Sequence, residues 1–224
     1  MKSAVLILSG GMDSATLMYH LLAEGYDLRC LSIDYGQRHI RELVAAKELC
    51  EILGVEHKTA PLIGINPLFG ESSLTNREVD VPEGHYEDEN MKVTVVPNRN
   101  MIMLAVAAAW GISTKSGFLA YAAHAGDHTI YPDCRPEFIE AMAKAIAICD
   151  FHGLELIAPF QGLSKGEICS IGLELGVPFE KTWTCYKGGD LACGKCGSCT
   201  ERLEAFEFAG AKDPLPYEVD YVPT

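Results

Sequence analysis

The stretch that decides the fold is Ala-Val-Leu-Ile-Leu-Ser-Gly-Gly-Met-Asp-Ser, residues 4–14 of the 224-residue chain. Its first part, Ala4–Leu8, is a continuous apolar run, which is typical of a strand buried on both faces of a parallel sheet. Gly10 and Gly11 end this run and allow a tight turn. From Ser14 to Glu24 apolar residues recur at helical spacing. The stretch therefore predicts a strand, a glycine turn and a helix.

The alternation of strand and helix continues along the chain. Further strands are predicted at 28–34, 57–62, 117–122 and 154–158, and further helices at 40–53, 101–110, 137–149 and 164–175. Strands that alternate with helices build a parallel sheet covered on both faces. The predicted fold class is therefore α/β, a doubly wound, mainly parallel sheet of five strands. Because residues 101–110 are apolar all round, we expect this helix to lie buried against the sheet.

Composition and charge limit the class of protein. Hydrophobic residues make up 48% of the chain, as in a globular protein with a real core. Eighteen Lys and Arg against 31 Asp and Glu give a net charge of −13, which argues against a nucleic-acid partner. The apolar start is too short for a signal peptide, and the ten-residue run 101–110 is far below the ~20 residues that span a bilayer. We therefore expect a cytoplasmic protein without a membrane partner.

The loop after the first strand predicts an anion site. Its residues are Leu8, Ser9, Gly10, Gly11, Met12, Asp13 and Ser14. The loop N–H groups and the start of the next helix form an array of donors suited to phosphate, and Ser14 is also a candidate helix cap. The loop matches neither the Rossmann fingerprint nor the Walker loop, which argues against a dehydrogenase and against a phosphate-transferring ATPase.

Four of the nine cysteines lie within fifteen residues: Cys185, Cys193, Cys196 and Cys199. Four thiolates within reach of one ion favour a closed, structural zinc site, since no ligand position stays open for water. An iron–sulfur cluster uses the same ligands, and a redox pair of cysteines is a further alternative. Length and this cluster together predict one large domain, 1–180, with a zinc-binding segment, 181–224, packed on it.

Polar residues follow the other strands, and loops after parallel strands converge on one rim of the sheet. Arginine and lysine there would neutralise a triphosphate or a carboxylate, and the two aspartates would bind a purine-like edge or a metal. Cys134 is a weaker candidate for a reactive thiol. The candidates at this rim are Tyr35, Gln37, Arg38, His39, Arg99, Asp127, Asp133, Arg135 and Lys165.

Residues 71–92 interrupt the pattern with seven acidic and two basic residues. We predict a polar surface excursion here. Long loops of this kind serve as lids or binding loops, or are insertions of no consequence, and both interpretations stay open.

The loop 9–14 resembles the Ser-Gly-Gly-x-Asp-Ser pyrophosphate loop of the PP-loop ATP pyrophosphatase superfamily. The whole set of motifs resembles the QueC family of 7-cyano-7-deazaguanine synthases. The motifs are Ser9–Ser14, Asp34–His39, Val96–Asn100, Tyr131–Phe138 and the four cysteines, together with Lys165. One departure is Asn98, where the family commonly has glycine. Asparagine tolerates a left-handed backbone better than most residues, so the turn can survive.

The resemblance implies an ATP-dependent ligase that converts 7-carboxy-7-deazaguanine and ammonia into the nitrile by two successive adenylations. It implies ATP as co-substrate with Mg²⁺, one structural Zn²⁺ per chain, and a homodimer. The catalytic residues it implies are Ser9, Asp13, Ser14, Arg99 and Lys165. The alternatives are a synthetase of the same superfamily acting on tRNA, on another carboxylate or on a protein, and a non-catalytic zinc-ribbon module. The net charge of −13 argues against the tRNA-modifying alternative, which would need a basic surface for RNA.

Overall fold

A computed structural model describes residues 2–86 and 88–219. Five strands form one sheet: β1 (Lys2–Ile7), β2 (Tyr26–Asp34), β3 (Glu56–Pro61), β4 (Phe118–Ala120) and β5 (Glu155–Ile157). Every pairing in it is parallel, and the strand order is β3-β2-β1-β4-β5. The chain thus adds β2 and β3 on one side of β1 and then β4 and β5 on the other side. The order reverses between β1 and β4, where such folds bind ligands.

Helices cover both faces of the sheet, which confirms the predicted fold class. They are α1 (Met12–Ala23), α2 (Arg41–Leu53), α3 (Arg99–Ser113), α4 (Pro136–Ile148), α5 (Lys165–Glu174) and α6 (Gly197–Phe208). Side chains alternate along β1, so Leu6 faces the core shared by α1, α2 and α5, and Val5 faces the core under α3 and α4. Both cores are continuous beneath the site described below.

Helix α3 is less buried than its composition predicts. Leu104, Ala107 and Ala108 are buried against the sheet, but Met101 is 42% exposed. The helix therefore lies against the sheet as predicted, but only one of its faces is buried. An apolar surface all round permits complete burial only where a second layer covers the outer face, and α3 belongs to the outermost layer on its side of the sheet.

The segment 71–92 is only in part the surface excursion that its acidic residues predict. Its described acidic side chains are exposed, whereas Leu74, Val81, Tyr86 and Met91 are buried in the protein. These four side chains bring the backbone down onto α3 and the C-terminal segment. The segment therefore has an acidic outer surface and an apolar inner surface that packs on the protein.

The C-terminal segment packs on the same body through α6. Phe206 meets Phe179 edge to face at 5.2 Å between ring centres, and Ala205 joins the core of α1 and α5. A buried ion pair between Arg202 and Asp213 ties the tail to this helix. The predicted boundary between 1–180 and 181–224 stays a prediction. No helix within the described ranges has both the length and the apolarity needed to cross a membrane.

Candidate active site and cysteine cluster

A cavity of about 180 Å³ lies at the carboxyl ends of β1, β2 and β4, where the strand order reverses. The loops after these strands form part of its wall, and the starts of α3 and α5 and the segment before α6 complete it. Most predicted residues line it: Leu8, Ser9, Gly11, Met12, Asp13, Ser14, Tyr35, Gln37, His39, Arg99, Asp127 and Lys165.

The loop after β1 depends on Gly10. Its φ is +88°, and a Cβ atom at this position would lie 2.1 Å from the carbonyl oxygen of Glu42. Neither the backbone conformation nor the space admits another residue. This close approach holds the loop against the start of α2, and Gly10 O also accepts the Trp183 N–H at 2.9 Å.

Helix α1 begins at the cavity with no side-chain cap. Gly11 is the N-cap, so the prediction of Ser14 as a cap is wrong, because Ser14 lies inside the first turn. The Ser14 hydroxyl is 2.9 Å from the Ser9 hydroxyl and donates to Gly11 O. The first N–H that bonds within the helix is that of Ala15. The N–H groups of Met12, Asp13 and Ser14 in the first turn therefore stay available to an anion at this end of the cavity, whereas the Gly11 N–H donates to Ser9 Oγ.

Lys165, the first residue of α5, lies between two carboxylates. Its Nζ is 2.7 Å from Glu201 Oε2 and 3.2 Å from Asp13 Oδ2. Burial alone lowers the pKa of Lys165, but Asp13, Glu201 and Asp127 outweigh it and raise the pKa above its ordinary value. The ammonium group is therefore charged. Asp13 Oδ1, by contrast, is buried without a hydrogen-bond partner among the described residues.

A second polar group follows β4. His124 Nδ1 accepts the Gly126 N–H, so the ring carries its proton on Nε2, which lies 3.5 Å from Asp127 and 3.8 Å from Asp13. Tyr86 Oη donates to Asp127 Oδ1 at 2.8 Å. Burial raises the pKa of Asp127. Its neighbours, led by His124, lower the pKa by more than burial raises it, so the pKa lies below its usual range. Asp127 is therefore ionised.

Arg99 occupies the opposite wall of the cavity, as the first residue of α3. Its Nε makes a long hydrogen bond of 3.4 Å to Asn100 Oδ1. Within residues 2–86 and 88–219 no carboxylate lies within 4.0 Å of its guanidinium. Asn98 before it adopts φ +59°, the left-handed conformation expected where the QueC family commonly has glycine.

His39 and Glu42 form a pair beside the loop after β2. His39 Nε2 is 2.9 Å from Glu42 Oε1, and the imidazole is 3% exposed. Burial lowers the pKa of His39, but Glu42 outweighs it and raises the pKa above the ordinary value. The other ring nitrogen, Nδ1, is buried without a partner among the described residues.

Three predicted substrate residues do not line the cavity. Arg38 donates to the carbonyl oxygens of Asn76 and Val79, and so holds the segment 71–92 in place. Asp133 Oδ2 accepts the Asn100 N–H near the start of α3. Arg135 donates to His128 O at an exposed site. A charged side chain near a strand end can either bind substrate or hold the backbone of a neighbouring segment in place. Spacing in the sequence does not distinguish these two roles.

Two other predicted residues line the cavity with their polar groups engaged. The Gln37 amide bonds the backbone of Ile33 and Tyr35 and so shapes the turn after β2. The Cys134 Sγ accepts a hydrogen bond from Asn100 Nδ2. Burial raises the pKa of Cys134 well above its ordinary value, so it is a thiol rather than a reactive thiolate. The surroundings of Cys134 therefore do not favour a reactive thiolate, and its role stays a prediction.

The four C-terminal cysteines form one buried cluster. The Sγ atoms of Cys185, Cys193, Cys196 and Cys199 all lie within 4.8 Å of one another. Tetrahedral zinc with ~2.3 Å bonds places sulfur atoms roughly 3.8 Å apart, so the spacing fits a metal ion. Backbone N–H groups of Lys195 and Cys196 donate to Cys193 Sγ, as is usual for a metal-binding turn. The cluster could therefore hold a metal.

The cysteine cluster also builds part of the cavity. Thr184 and Tyr186 flank Cys185, Ser198 precedes Cys199, and all three line the cavity. Trp183 joins them, and its ring is covered by the guanidinium of Arg41 at 3.9 Å. The cluster therefore acts as a scaffold for one wall and supplies no free ligand position.

Sequence reasoning missed three residues that contact the central charges: Tyr86, His124 and Glu201. His124 directly follows the predicted fourth strand, so the rule that ligands bind at strand ends could have identified it. Tyr86 lies in the segment 71–92, and Glu201 lies two residues after Cys199. Neither carries a local signal, because tertiary packing alone brings them to the cavity.

The fold and the cavity define a class of protein. A parallel sheet whose order reverses beside a Ser-Gly-Gly-x-Asp-Ser loop, with the following helix open to an anion, is the PP-loop nucleotide-binding arrangement. The structure of NMN synthetase from Francisella tularensis has a similar fold, with a TM-score of 0.52 over 93% of this chain and 77% of that one, at 16% identity. A family model described as "Queuosine biosynthesis protein QueC" matches residues 3–210, and the chain belongs to this family.

Relatives support this family at high identity. The chain is 55% identical to the 7-cyano-7-deazaguanine synthase of Methanoregula boonei, over 96% of this chain and 99% of the relative. It is 53% identical to the 7-cyano-7-deazaguanine synthase of Caldicellulosiruptor saccharolyticus, over 97% and 96% of the two chains. The predicted resemblance to the QueC family is thus confirmed, and the alternatives to it are not favoured.

Proposed function

We propose that this chain converts 7-carboxy-7-deazaguanine, ammonia and ATP into 7-cyano-7-deazaguanine. The observation that carries the proposal is the meeting of the loop 9–14 with Lys165 and Arg99 in one cavity of a QueC-family chain. Such a cavity combines a phosphate-binding helix start with two separate cationic side chains. It suits a reaction in which a carboxylate and a triphosphate must approach each other.

The open start of α1 would hold the β- and γ-phosphates. Its free N–H groups and the Lys165 ammonium lie at fixed positions before the reaction begins, so no reorganisation is needed as charge develops on the departing pyrophosphate. Lys165 would exchange its contact with Asp13 for phosphate while Glu201 continues to orient it. The Ser9 and Ser14 hydroxyls add donors at the same end.

The chemistry would use the same step twice. First, a carboxylate oxygen attacks the α-phosphorus, pyrophosphate leaves, and ammonia then attacks the acyl carbon and releases AMP to give the amide. Next, the amide oxygen attacks the α-phosphorus of a second ATP, pyrophosphate leaves the phosphorus, and the amide nitrogen loses one proton. Loss of AMP and the remaining N–H proton leaves the nitrile. The overall stoichiometry is two ATP to two AMP and two pyrophosphate, with no covalent enzyme intermediate.

Mg²⁺ with the nucleotide is part of the proposal. Asp13 Oδ1 is a buried oxygen without a partner among the described residues, and an ionised carboxylate oxygen is a ligand that Mg²⁺ prefers. Asp13 would hold the ion together with the phosphates, whose charge the ion neutralises when bound. We also propose that the metal of the four thiolates is Zn²⁺, because the set is closed and tetrahedral in spacing.

Three further expectations belong with this proposal. We expect small-molecule substrates and no nucleic-acid partner, in keeping with the net charge of −13. We expect a cytoplasmic protein, since the activity uses the ATP pool. We expect a homodimer, by analogy with the family.

The direct test supplies purified, zinc-loaded protein with ATP, ammonium and 7-carboxy-7-deazaguanine. We expect the nitrile, two AMP for each nitrile formed, and a transient amide by mass spectrometry. A folded, metal-loaded sample that forms no AMP would contradict the proposed function. Omission of ammonium should prevent release of both amide and nitrile.

A further inference from the structure

The two cationic side chains of the cavity are in different electrostatic states. Lys165 Nζ contacts two carboxylates, at 2.7 and 3.2 Å. The Arg99 guanidinium has no carboxylate within 4.0 Å among the described residues, and its polar neighbours are the Asn100 amide, 3.4 Å from Nε, and the Tyr35 hydroxyl. No carboxylate of the described residues therefore pairs with Arg99, and its charge can serve an anion in the cavity.

The surroundings of Arg99 keep it charged and directed at the cavity. Burial lowers the pKa of Arg99, but the hydroxyl oxygen of Tyr35, which is within hydrogen-bonding reach, and the Asp133 carboxylate raise it more, so the pKa lies well above its ordinary value. Asp133 does not take the role of ion partner, because its Oδ2 accepts the Asn100 N–H at 3.0 Å. Tyr35 and Cys134, which also line this wall, are uncharged neighbours.

Arg99 also stands on the opposite side of the sheet from the phosphate donors. The loop 9–14 and Lys165 belong to α1 and α5, which pack on one face, whereas Arg99 begins α3 on the other face. The cavity thus has two anion-binding ends. The first has backbone N–H groups and a lysine, which suit phosphates. The second has a planar guanidinium, which suits a carboxylate held by two parallel hydrogen bonds.

We propose that Arg99 binds the carboxylate of the substrate and so selects the acid for the first adenylation only. This inference rests on the proposed function. A guanidinium that holds the carboxylate places it for attack on the α-phosphorus without taking part in any bond change. The amide that follows carries no charge and presents N–H donors to Arg99, so Arg99 contributes far less to the second adenylation.

The test compares the two half-reactions in Arg99→Gln. The acid and the amide, 7-carboxy-7-deazaguanine and its carboxamide, are supplied separately with saturating ATP. We expect kcat/KM for the acid to fall by about 100-fold or more, as for loss of one partner of a desolvated charge pair, and kcat/KM for the amide to fall by less than about 10-fold. Arg99→Lys should recover part of the loss with the acid, since it restores the charge without the planar fork.

A matched control is Arg29→Gln, which removes an arginine that pairs with Glu56 on β3 outside the cavity. It should leave both half-reactions unchanged. Melting temperatures of all variants exclude unfolding as the cause. Calorimetric titration with the non-hydrolysable analogue AMPCPP, with the acid and with the amide gives a readout that does not depend on turnover.

Equal losses for acid and amide in Arg99→Gln, or a large loss of AMPCPP affinity, would overturn the proposal in favour of a phosphate role. Unchanged acid affinity would overturn it as well. Failure of the proposed function looks different, because wild-type protein would then form no nitrile from either substrate. The binding titrations still decide the role of Arg99 in that case.

Discussion

Two arginines of this protein, Arg202 in the C-terminal segment and Arg99 in the cavity, use their hydrogen-bond donors in opposite ways. Arg202 is 0% exposed, and its five N–H groups make five hydrogen bonds. Two go to the Asp213 carboxylate and three to Thr182, Thr184 and Phe179 O. Arg99, by contrast, has a long bond of 3.4 Å to Asn100 and the Tyr35 hydroxyl beside it, and no carboxylate partner within residues 2–86 and 88–219. The first side chain is saturated by the protein and the second is left for a ligand.

The same difference separates the two regions as a whole. Asp213 also accepts from Tyr217 Oη and the Leu215 N–H, so the anion of the C-terminal pair is surrounded by donors. In the cavity, Asp13 Oδ1 and His39 Nδ1 are buried and find no partner in the part of the chain that the structure describes. An unpartnered buried polar group lowers stability unless a ligand completes it. Substitutions in the cavity should therefore reduce activity, and those in the C-terminal segment should reduce stability.

The largest effect is expected for Asp13→Ala. Loss of this carboxylate removes the ligand proposed for Mg²⁺ and the partner of Lys165, and turnover should fall by at least about 10³-fold. The melting temperature should change little. Asp27→Ala, at an exposed position on β2, is the matched control and should keep full activity. Equal AMP formation by wild type and Asp13→Ala would contradict the role of the loop.

Arg202→Met tests the saturated region. Because it leaves the buried Asp213 carboxylate unpaired, we expect the free energy of unfolding in urea to fall by about 3–5 kcal/mol. The double variant Arg202→Met/Asp213→Leu should recover part of this loss, since no buried charge remains. Arg29→Met, which breaks a half-buried pair with Glu56, should cost about 1 kcal/mol or less. If Arg202→Met and Arg29→Met have the same free energy of unfolding, the C-terminal segment is not the region whose saturated charges stabilise the fold, and the comparison is contradicted.

Cys196→Ser should lower stability through loss of the metal. A loss of about 4 kcal/mol corresponds to a fall of about 10 °C in melting temperature for a domain of this size. Metal content by mass spectrometry should fall in parallel, and activity should follow the folded fraction. Cys149→Ser changes an exposed cysteine outside the cluster and should alter none of these quantities. A fully metal-loaded, unchanged Cys196→Ser would remove Cys196 from the ligand set.

The smallest effects compare two tyrosines that each donate to a carboxylate. Tyr86→Phe removes the 2.8 Å bond to Asp127 in the cavity and should lower turnover by about tenfold. Tyr217→Phe removes the bond to Asp213 and should lower the free energy of unfolding by about 1.5–3 kcal/mol without changing kcat in the folded protein. The reverse pattern, with stability lost at Tyr86 and activity at Tyr217, would break the comparison.

Much of the fold and part of the site could be predicted because their determinants are local. The loop 9–14 joins a buried strand to a helix within eleven consecutive residues, 4–14. The four cysteines lie within fifteen residues, so their convergence needs no knowledge of the tertiary structure. Pro136 at the start of α4 and the capping box at Ser164 are local features of the same kind, since each depends on neighbouring residues alone.

The remainder of the site depends on packing between distant segments. Glu201 meets Lys165 because α6 packs on α5, and the two residues are 36 positions apart. Tyr86 reaches the cavity because buried residues such as Leu74 and Met91 hold its segment down. Arg38 was predicted as a substrate residue, but its donors hold that segment instead. Residue type and spacing do not show which of these contacts is made.

The most direct test of the double adenylation follows the oxygen atoms of the substrate. The protein is supplied with 7-carboxy-7-deazaguanine that carries ¹⁸O in both carboxylate oxygens, with unlabelled ATP and ammonium. We expect one ¹⁸O in each AMP, because each adenylation joins a substrate oxygen to the α-phosphorus and each release breaks the bond from carbon to that oxygen. Unlabelled AMP, or label in ADP or inorganic phosphate, would contradict the mechanism.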